Sequence, residues 1–505
     1  MIEWIDAQLN RITMYRLVLY YLIFLLAVAT LLSIAGILKY DPFALLFSVG
    51  FLIAACWLAN TLFSKAFGVA TNAESSYISA LILALIITPI SGYGDLWFLA
   101  WAAIWAMASK YLIAVNGKHI FNPVAFAVAL TYLTVNQSAS WWIGDGAMLP
   151  FVLAGGWLII RRIRRFDLVY SFLGAVLATV FVFSLFGGDL FASIGQVISY
   201  SPLFFFAGVI LTEPLTTPPT RTWRIVYGAL VGFLFTPQFH IGGFYATPEL
   251  ALLMGNVLSY IVSPKSKLAL RLKKRIQLSP DIFDFIFVPK GKLAFAPGQY
   301  MEWTLGMQDP DSRGNRRYFT LASSPTENEI RVGIKFYPKS SAFKQALLAM
   351  PTNAEITATQ LAGDFTLPGN PHQKLVFVAG GIGITPFRSM LHYLLDTRQT
   401  RPITVLYTNK TVNDIVYVDV LERAQRELGI RTVYTVTDAA QLPSSWRGKV
   451  GRITPQMIKA EVPDYRQCIF YVSGPQSMVD SVKAILEQLH VPEGQIKTDY
   501  FAGLA

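Results

Sequence analysis

Between Arg16 and Lys39 the sequence carries no charged residue, and apolar runs of this kind recur through its first half. A helix needs about 20 mostly apolar residues to cross a bilayer, so such a series points to repeated membrane crossing. We read spans at 17–38, 43–63, 76–90, 95–115, 121–136, 147–161, 167–187, 199–212, 223–237 and 247–263. Charge is scarce throughout: residues 1–265 hold 13 Lys/Arg and 10 Asp/Glu, out of 42 and 31 in the whole chain of 505. Residues 266–505 return to the mixed composition of a soluble protein. The expected organisation is a ten-helix transmembrane domain at 1–265, a small β-barrel at 266–370 and a doubly wound α/β domain at 371–505.

The net charge of +11 does not mark a nucleic-acid binder. In the first half the cations Arg11, Arg16, Lys65, Lys110, Lys118, Arg161, Arg162, Arg164, Arg165, Arg221, Arg224 and Lys265 fall on one side of the expected membrane, and only Lys39 on the other. That asymmetry places both termini in the cytoplasm and requires an even number of spans. A short polar, helix-like segment precedes the first span without a small-residue cleavage site, so no cleavable signal peptide is expected. The two cysteines, Cys56 and Cys468, are too few for an iron–sulfur cluster and do not suggest a disulfide framework. No metal site is expected, and any redox cofactor should be organic.

The membrane half carries an internal echo. Pro89 closes IITP and Pro214 closes LTEP; Pro123 opens a helix in FNPVAFAVAL and Pro248 opens one in ATPELALLMG. Both proline pairs are 125 positions apart. Five helices per copy is odd, so the second copy is inverted, and inverted repeats place sites at their interface beside broken helices. The segment TEPLTTPPT, Thr212 to Thr220, holds three prolines that forbid regular helix. A carboxylate at Glu213 in the membrane half needs a partner or a polar site. The stretches SYISALILALIITP, HIFNPVAFAVAL and ILTEPLTTPPTR resemble the B subunit of the sodium-pumping NADH:quinone reductase and the D subunit of the Rnf complex. The resemblance implies a ten-helix inverted-repeat fold that holds flavin. Many of these relatives link FMN to a Thr in S-G-A-T. Here the outer loop reads GGDLFASIGQVISYSP, so the expected membrane flavin, FMN or riboflavin, is non-covalent. Its candidate contacts are Asn122, Thr212, Glu213 and Thr216.

In the second half, residues 268–370 read as short alternating strands. Within RYFTLASSP, Arg317, Tyr318 and Thr320 offer a cation for a pyrophosphate, an aromatic face for a flavin ring and a hydroxyl for its reactive nitrogen. IKFYPKSSAFKQAL turns into a hydroxyl-rich helix start, where backbone N–H groups hold phosphate. GDFTL, at Gly363, reads as a tight turn back into a strand. KLVFVAGGIGITPFRSMLHYLL runs a buried strand into Gly380, Gly381 and Gly383 and then a helix, a spacing that is not G-x-G-x-x-G. Alternating strands and helices follow, and Gly474 and Pro475 end a strand where ligands of such sheets sit. This ordered set resembles the ferredoxin–NADP reductase family over residues 268–505. The resemblance implies that Arg317, Tyr318 and Thr320 bind FAD and Ser341 its pyrophosphate. It also implies that Gly380, Gly381, Gly383, Thr385 and Pro386 bind NAD(P)H. Ser473 stands where relatives carry Cys near the nicotinamide, and Tyr500 or Phe501 where they stack an aromatic on the flavin. The usual Gly before Ser340 is missing.

The reading that absorbs both halves is an NAD(P)H-oxidising flavoprotein. It passes electrons from cytoplasmic FAD through a membrane flavin to a quinone or an outer-surface acceptor, with membrane lipid around it. Two others stand beside it: a flavin or quinone reductase merely anchored by the helices, and a redox-regulated transporter. A haem route is not expected, because His119 and His240 lie on opposite sides and cannot ligate one iron together. Asn409 and Lys410 follow the strand TVLYT, where a 2′-phosphate would sit, and do not decide between NADH and NADPH.

Overall fold

The computed structural model describes residues 2–9, 12–68, 73–115, 118–187, 189–199, 202–236, 240–241, 244–245, 247–263, 268–291, 293–307, 311, 314–439 and 442–501. The chain divides into two units, Met1–Lys267 and Leu268–Ala505.

Helix starts in the first unit follow from local chemistry. Asp41, Asn122 and Thr247 each accept a backbone N–H with a side-chain oxygen, and a proline follows each as the first helical residue. The cap satisfies an orphan donor, and proline has no N–H there to lose. The helices so launched are Pro42–Phe67, Pro123–Val135 and Pro248–Val262. Around them lie Ile2–Leu9, Met14–Ile34, Ala73–Ile86, Leu96–Leu112, Leu149–Ile163, Phe166–Ser184, Leu190–Ser199 and Arg221–Phe235. Leu203–Phe205 runs directly into a π-helical turn, Phe206–Ile210.

Three of these, Met14–Ile34, Pro42–Phe67 and Phe166–Ser184, are long and apolar enough to cross a membrane. A fourth is reached if Leu190–Ile198 and Leu203–Ile210, bent by 59°, form one span. Ten spans, several of them short, were expected. The shorter helices fall below that length: a helix of 13 residues such as Pro123–Val135 rises only roughly 20 Å at about 1.5 Å per residue. The sequence GGDLFASIGQVISYSP, read as a loop, contains the helix Leu190–Ser199. Large apolar side chains stand outward, with Phe43 80% and Phe191 85% exposed, which suits a lipid surround. Gly228 and Gly232, one turn apart on Arg221–Phe235, face the backbone of Phe166–Ser184; a Cβ on Gly228 would lie 2.6 Å from the Leu168 carbonyl oxygen. The missing side chains let these two helices meet backbone to backbone.

The second unit holds two six-stranded sheets. The first is antiparallel, in the order Arg316–Thr320, Tyr300–Thr304, Glu355–Ala362, Leu268–Ser279, Ile282–Pro289, Ile330–Lys335. Phe285, Phe287 and Trp303 are buried in its core with Phe343 of the helix Ala342–Ala349. The expected barrel is present only as this sheet: among the described residues no ladder joins its edge strands, although the Ala322 amide donates to the Arg331 carbonyl at 2.8 Å. Beyond Gly363 the chain does not return to a strand as expected. Phe365 instead packs on Phe387 and Tyr471 of the second layer.

The second sheet is wholly parallel, in the order Lys449–Val450, Arg431–Val436, Ile403–Asn409, Leu375–Gly380, Ile469–Pro475, Ile496–Phe501. Every residue of Leu375–Gly380 is buried, as a strand covered on both faces requires. From this central strand the chain steps outward to one edge, then comes back to Ile469–Pro475 on the other side. The order of strands therefore reverses between Gly380 and Gly474, and ligands of open α/β sheets bind in that crevice.

Candidate active site and a buried polar cluster

The strand Arg316–Thr320 alternates faces, which separates the three residues singled out on it. Arg317 is 7% exposed and Thr320 is buried, while Tyr318 is 46% exposed. Period two sets Tyr318 and Thr320 on one face and Arg317 with Phe319 on the other. The aromatic that shares a face with Arg317 is thus Phe319, which the sequence reading passed over and which strict alternation would have found. Tyr318 donates its hydroxyl to Glu302 at 2.7 Å and stands edge-on to Tyr300.

Arg317 lies in a corner built to hold an anion. Its guanidinium sits 5.2 Å from the centre of the Phe343 ring and donates to the Gly314 carbonyl at 3.1 Å. Beside it Ser341 caps the helix Ala342–Ala349 by accepting from the Lys344 amide at 3.3 Å. The corner holds a carboxylate from this chain: Asp311 accepts from the Ala342 amide at 3.0 Å and lies 3.5 Å from Arg317. A cation and helix-end N–H groups around an anion are the donor set that a pyrophosphate needs.

At the reversal of the parallel sheet the glycines divide by role. Gly381 has a left-handed backbone (φ 55°) and open space where a side chain would be. Gly383 does not face open space. A Cβ there would lie 2.6 Å from the Cα of Gly474, so this glycine is needed to pack one strand end on the next. Thr385 and Pro386 open the helix Thr385–Asp396, and the Thr385 hydroxyl donates to the Ile382 carbonyl at 3.1 Å. Ser473 is fully buried, and its hydroxyl has no hydrogen-bond partner among the described residues. Phe501 pairs with Pro475, and Tyr500 with Gly474, on the neighbouring strand; their side chains lie outside the described residues.

The two layers of this unit are tied by charges that no motif announced. Arg388, 5% exposed, donates to the Ala322 carbonyl at 2.6 Å and to both oxygens of Glu327. The Ser389 hydroxyl donates to the Ser323 carbonyl at 2.6 Å. Tyr417 donates to Asp284, which also accepts from Arg331. Burial pushes the Asp284 carboxyl above its usual range despite Arg331 and Arg388. Burial also works against the charge on Glu327, yet the hydrogen bond and charge of Arg388 hold it below the usual range.

In the first unit, three of four expected contacts converge. The Asn122 side-chain amide and the Thr216 hydroxyl each donate to one oxygen of Glu213 at 2.9 Å. Asn256 accepts from the Asn122 backbone amide at 2.8 Å and donates to the Tyr227 hydroxyl at 3.0 Å. His119 Nε2 is buried 3.7 Å from the other Glu213 oxygen, with no hydrogen-bond partner among the described residues. Thr212 is the exception: its hydroxyl turns back to the Gly208 carbonyl of its own helical turn. Asn256 was missed because a lone Asn in an apolar helix carries no motif. The side chain of His240 lies outside the described residues.

The second half is similar to the reductase component of propane 2-monooxygenase from Mycolicibacterium goodii, 29% identical over 220 residues, covering 42% of this chain and 61% of that protein. It is also similar to the glycine betaine monooxygenase reductase subunit of Chromohalobacter salexigens, 24% identical over 221 residues, covering 43% and 59%. The chain thus spans less than two thirds of these relatives. Among solved structures it is similar to the cytochrome b5 reductase domain of Ulva prolifera nitrate reductase, at 21% identity and a TM-score of 0.41, covering 47% of this chain and 98% of that one. Residues 377–484 match the oxidoreductase NAD-binding domain, and residues 139–265 match the NQR2, RnfD, RnfE family, so one chain joins a segment of each.

Proposed function

We propose that the chain is a membrane-bound, NAD(P)H-dependent flavin oxidoreductase that passes electrons from FAD in its second unit to a flavin in its first. The observation that carries the reductase reading is the pairing, in one unit, of the Arg317 anion corner with the strand reversal at Gly380 and Gly474. In this reading Arg317 and the N–H groups after Ser341 hold the FAD pyrophosphate, and Thr320 and the aromatics Tyr318 and Phe319 position the ring. Gly380, Gly381, Thr385 and Pro386 border the NAD(P)H pyrophosphate, while Gly474, Pro475 and Ser473 line the nicotinamide, with Phe501 on the adjoining strand. When bound, FAD would supply the hydride chemistry with the nicotinamide, and these residues would hold the two in position. Gly383 keeps the crevice closed at its floor, and Arg388 holds the two layers in register.

For the first unit the reading is ten membrane segments in an inverted repeat, both termini cytoplasmic, with a non-covalent FMN or riboflavin at the Glu213 cluster. Helix positions support the repeat: Arg221 stands 125 residues after Leu96, and Pro248 the same distance after Pro123. His119, 3.7 Å from one Glu213 oxygen, and the Asn122 amide, bonded to the other, are the groups that a flavin ring edge would meet. A quinone or an outer-surface acceptor then receives the electrons. The deciding measurement is flavin per polypeptide in the purified full-length chain, before and after denaturation. Two flavins, both released, support the reading; one flavin, retained when the Glu213 cluster is mutated, leaves a reductase that the helices merely anchor.

A further inference from the structure

We propose that Asp311 is an internal stand-in for phosphate, a carboxylate that occupies the Arg317 corner and competes with the dinucleotide for it. The proposal rests on the reading of that corner as the FAD pyrophosphate site and adds a determinant of affinity to it.

Three features of the corner carry the inference. The Asp311 carboxylate meets both of the corner's anion-binding elements at once: one oxygen takes the Ala342 amide at the helix start, 3.0 Å away, and the other faces Arg317 at 3.5 Å. The guanidinium does not need Asp311 to stay in place. It is held by the Gly314 and Arg316 carbonyls and by the face of the Phe343 ring. The Ser341 hydroxyl is committed to the Lys344 amide, so the Ala342 N–H is taken by Asp311 and not by the helix's own cap. A carboxylate and a pyrophosphate cannot share one cation and one helix end without like-charge repulsion. Asp311 must therefore give up both contacts when the cofactor arrives. Where it stands, Asp311 offsets the charge of a cation that is only 7% exposed.

Asp311→Asn tests this with little change of shape, since the amide oxygen can still accept from Ala342 while the charge is gone. Full-length protein in detergent, stripped of FAD, is titrated with FAD by quenching of flavin fluorescence, with inorganic pyrophosphate as a competing probe. FAD should bind D311N about tenfold more tightly than wild type, as loss of a competing anion at a helix end and an ion pair implies. Pyrophosphate should compete at lower concentration, and cofactor-free D311N should melt below wild type. Unchanged or weaker FAD binding in D311N overturns the proposal and makes Asp311 an aid to Arg317. Arg317→Lys and Arg317→Ala read the underlying assignment separately. If both bind FAD as wild type does, the corner is not the FAD site. If they weaken FAD while D311N fails to tighten it, only the competition is refuted.

Discussion

Arg388 and Glu327 face each other two bonds deep, at 2.8 and 3.1 Å, and join the helix that follows the glycine turn to the segment that follows the Arg317 strand. The same guanidinium also takes the Ala322 carbonyl. Three bonds from one buried side chain set the position of the parallel-sheet layer relative to the antiparallel one.

Removing that side chain should be costly. Arg388→Ala leaves Glu327 without its cation and is expected to lose about 3–5 kcal/mol, as breaking one side of a buried pair does. Thermal melting of the detergent-solubilised protein reads the loss. The pH dependence has a definite sign. Because Arg388 holds the Glu327 carboxyl below its usual range, its contribution is complete above the unfolded value of about 4.3 and is lost as pH falls through the folded one. Glu327→Gln should thus be less stable than wild type at neutral pH, and the gap should close in acid below that value.

The two glycines of the turn should behave differently. Gly383→Val drives a side chain into the Gly474 backbone, and a loss of about 3 kcal/mol is expected because backbone yields poorly to overpacking. Melting temperature should fall, with FAD and NAD(P)H binding lost together. Gly381→Ala meets open space but a left-handed backbone, a strain of roughly 1–2 kcal/mol. It should keep FAD and raise the KM for NAD(P)H. Steady-state kinetics beside flavin content separates the two outcomes.

Tyr318 should show a ring effect apart from a hydroxyl effect. Tyr318→Phe removes the bond to Glu302, a nearly fully buried carboxylate, and should lower stability by about 1–3 kcal/mol while FAD is retained. Tyr318→Ala and Arg317→Ala should each release FAD. Flavin absorbance after gel filtration is the measurement, and full retention in both alanine variants would remove this strand from the FAD site.

In the first unit, Glu213→Gln keeps size and the one oxygen that serves both Asn122 and Thr216, but replaces the oxygen facing His119 by an amide nitrogen and removes the charge. The expected outcome is loss of one flavin per chain, with bleaching of the remaining flavin by NADH or NADPH unaffected. Acid precipitation followed by flavin quantitation checks it.

Much of this architecture was legible because its signals are local. Asn-Pro and Thr-Pro mark helix starts at Asn122 and Thr247, and a fully apolar strand before Gly380 marks the centre of a parallel sheet. What escaped depends on partners distant in the chain. Arg388 looks like any helix arginine until Ala322 and Glu327 are beside it, 66 and 61 positions away. Gly383 reads as a phosphate glycine until Gly474 is seen against it. Thr212 and Thr216 look alike in TEPLTTPPT, but Thr212 directly follows a helical turn and its hydroxyl is spent on the Gly208 carbonyl four residues back.

The bonds around Glu213 also bear on how the first unit can be divided. Asn122 comes from its first half, while Thr216, Tyr227 and Asn256 come from its second. A gene cut between Val135 and Leu149 would leave each fragment with polar groups stranded in an apolar interior. The two pieces would be mutually obligate, accumulating only when produced together, as halves of one complementing pair.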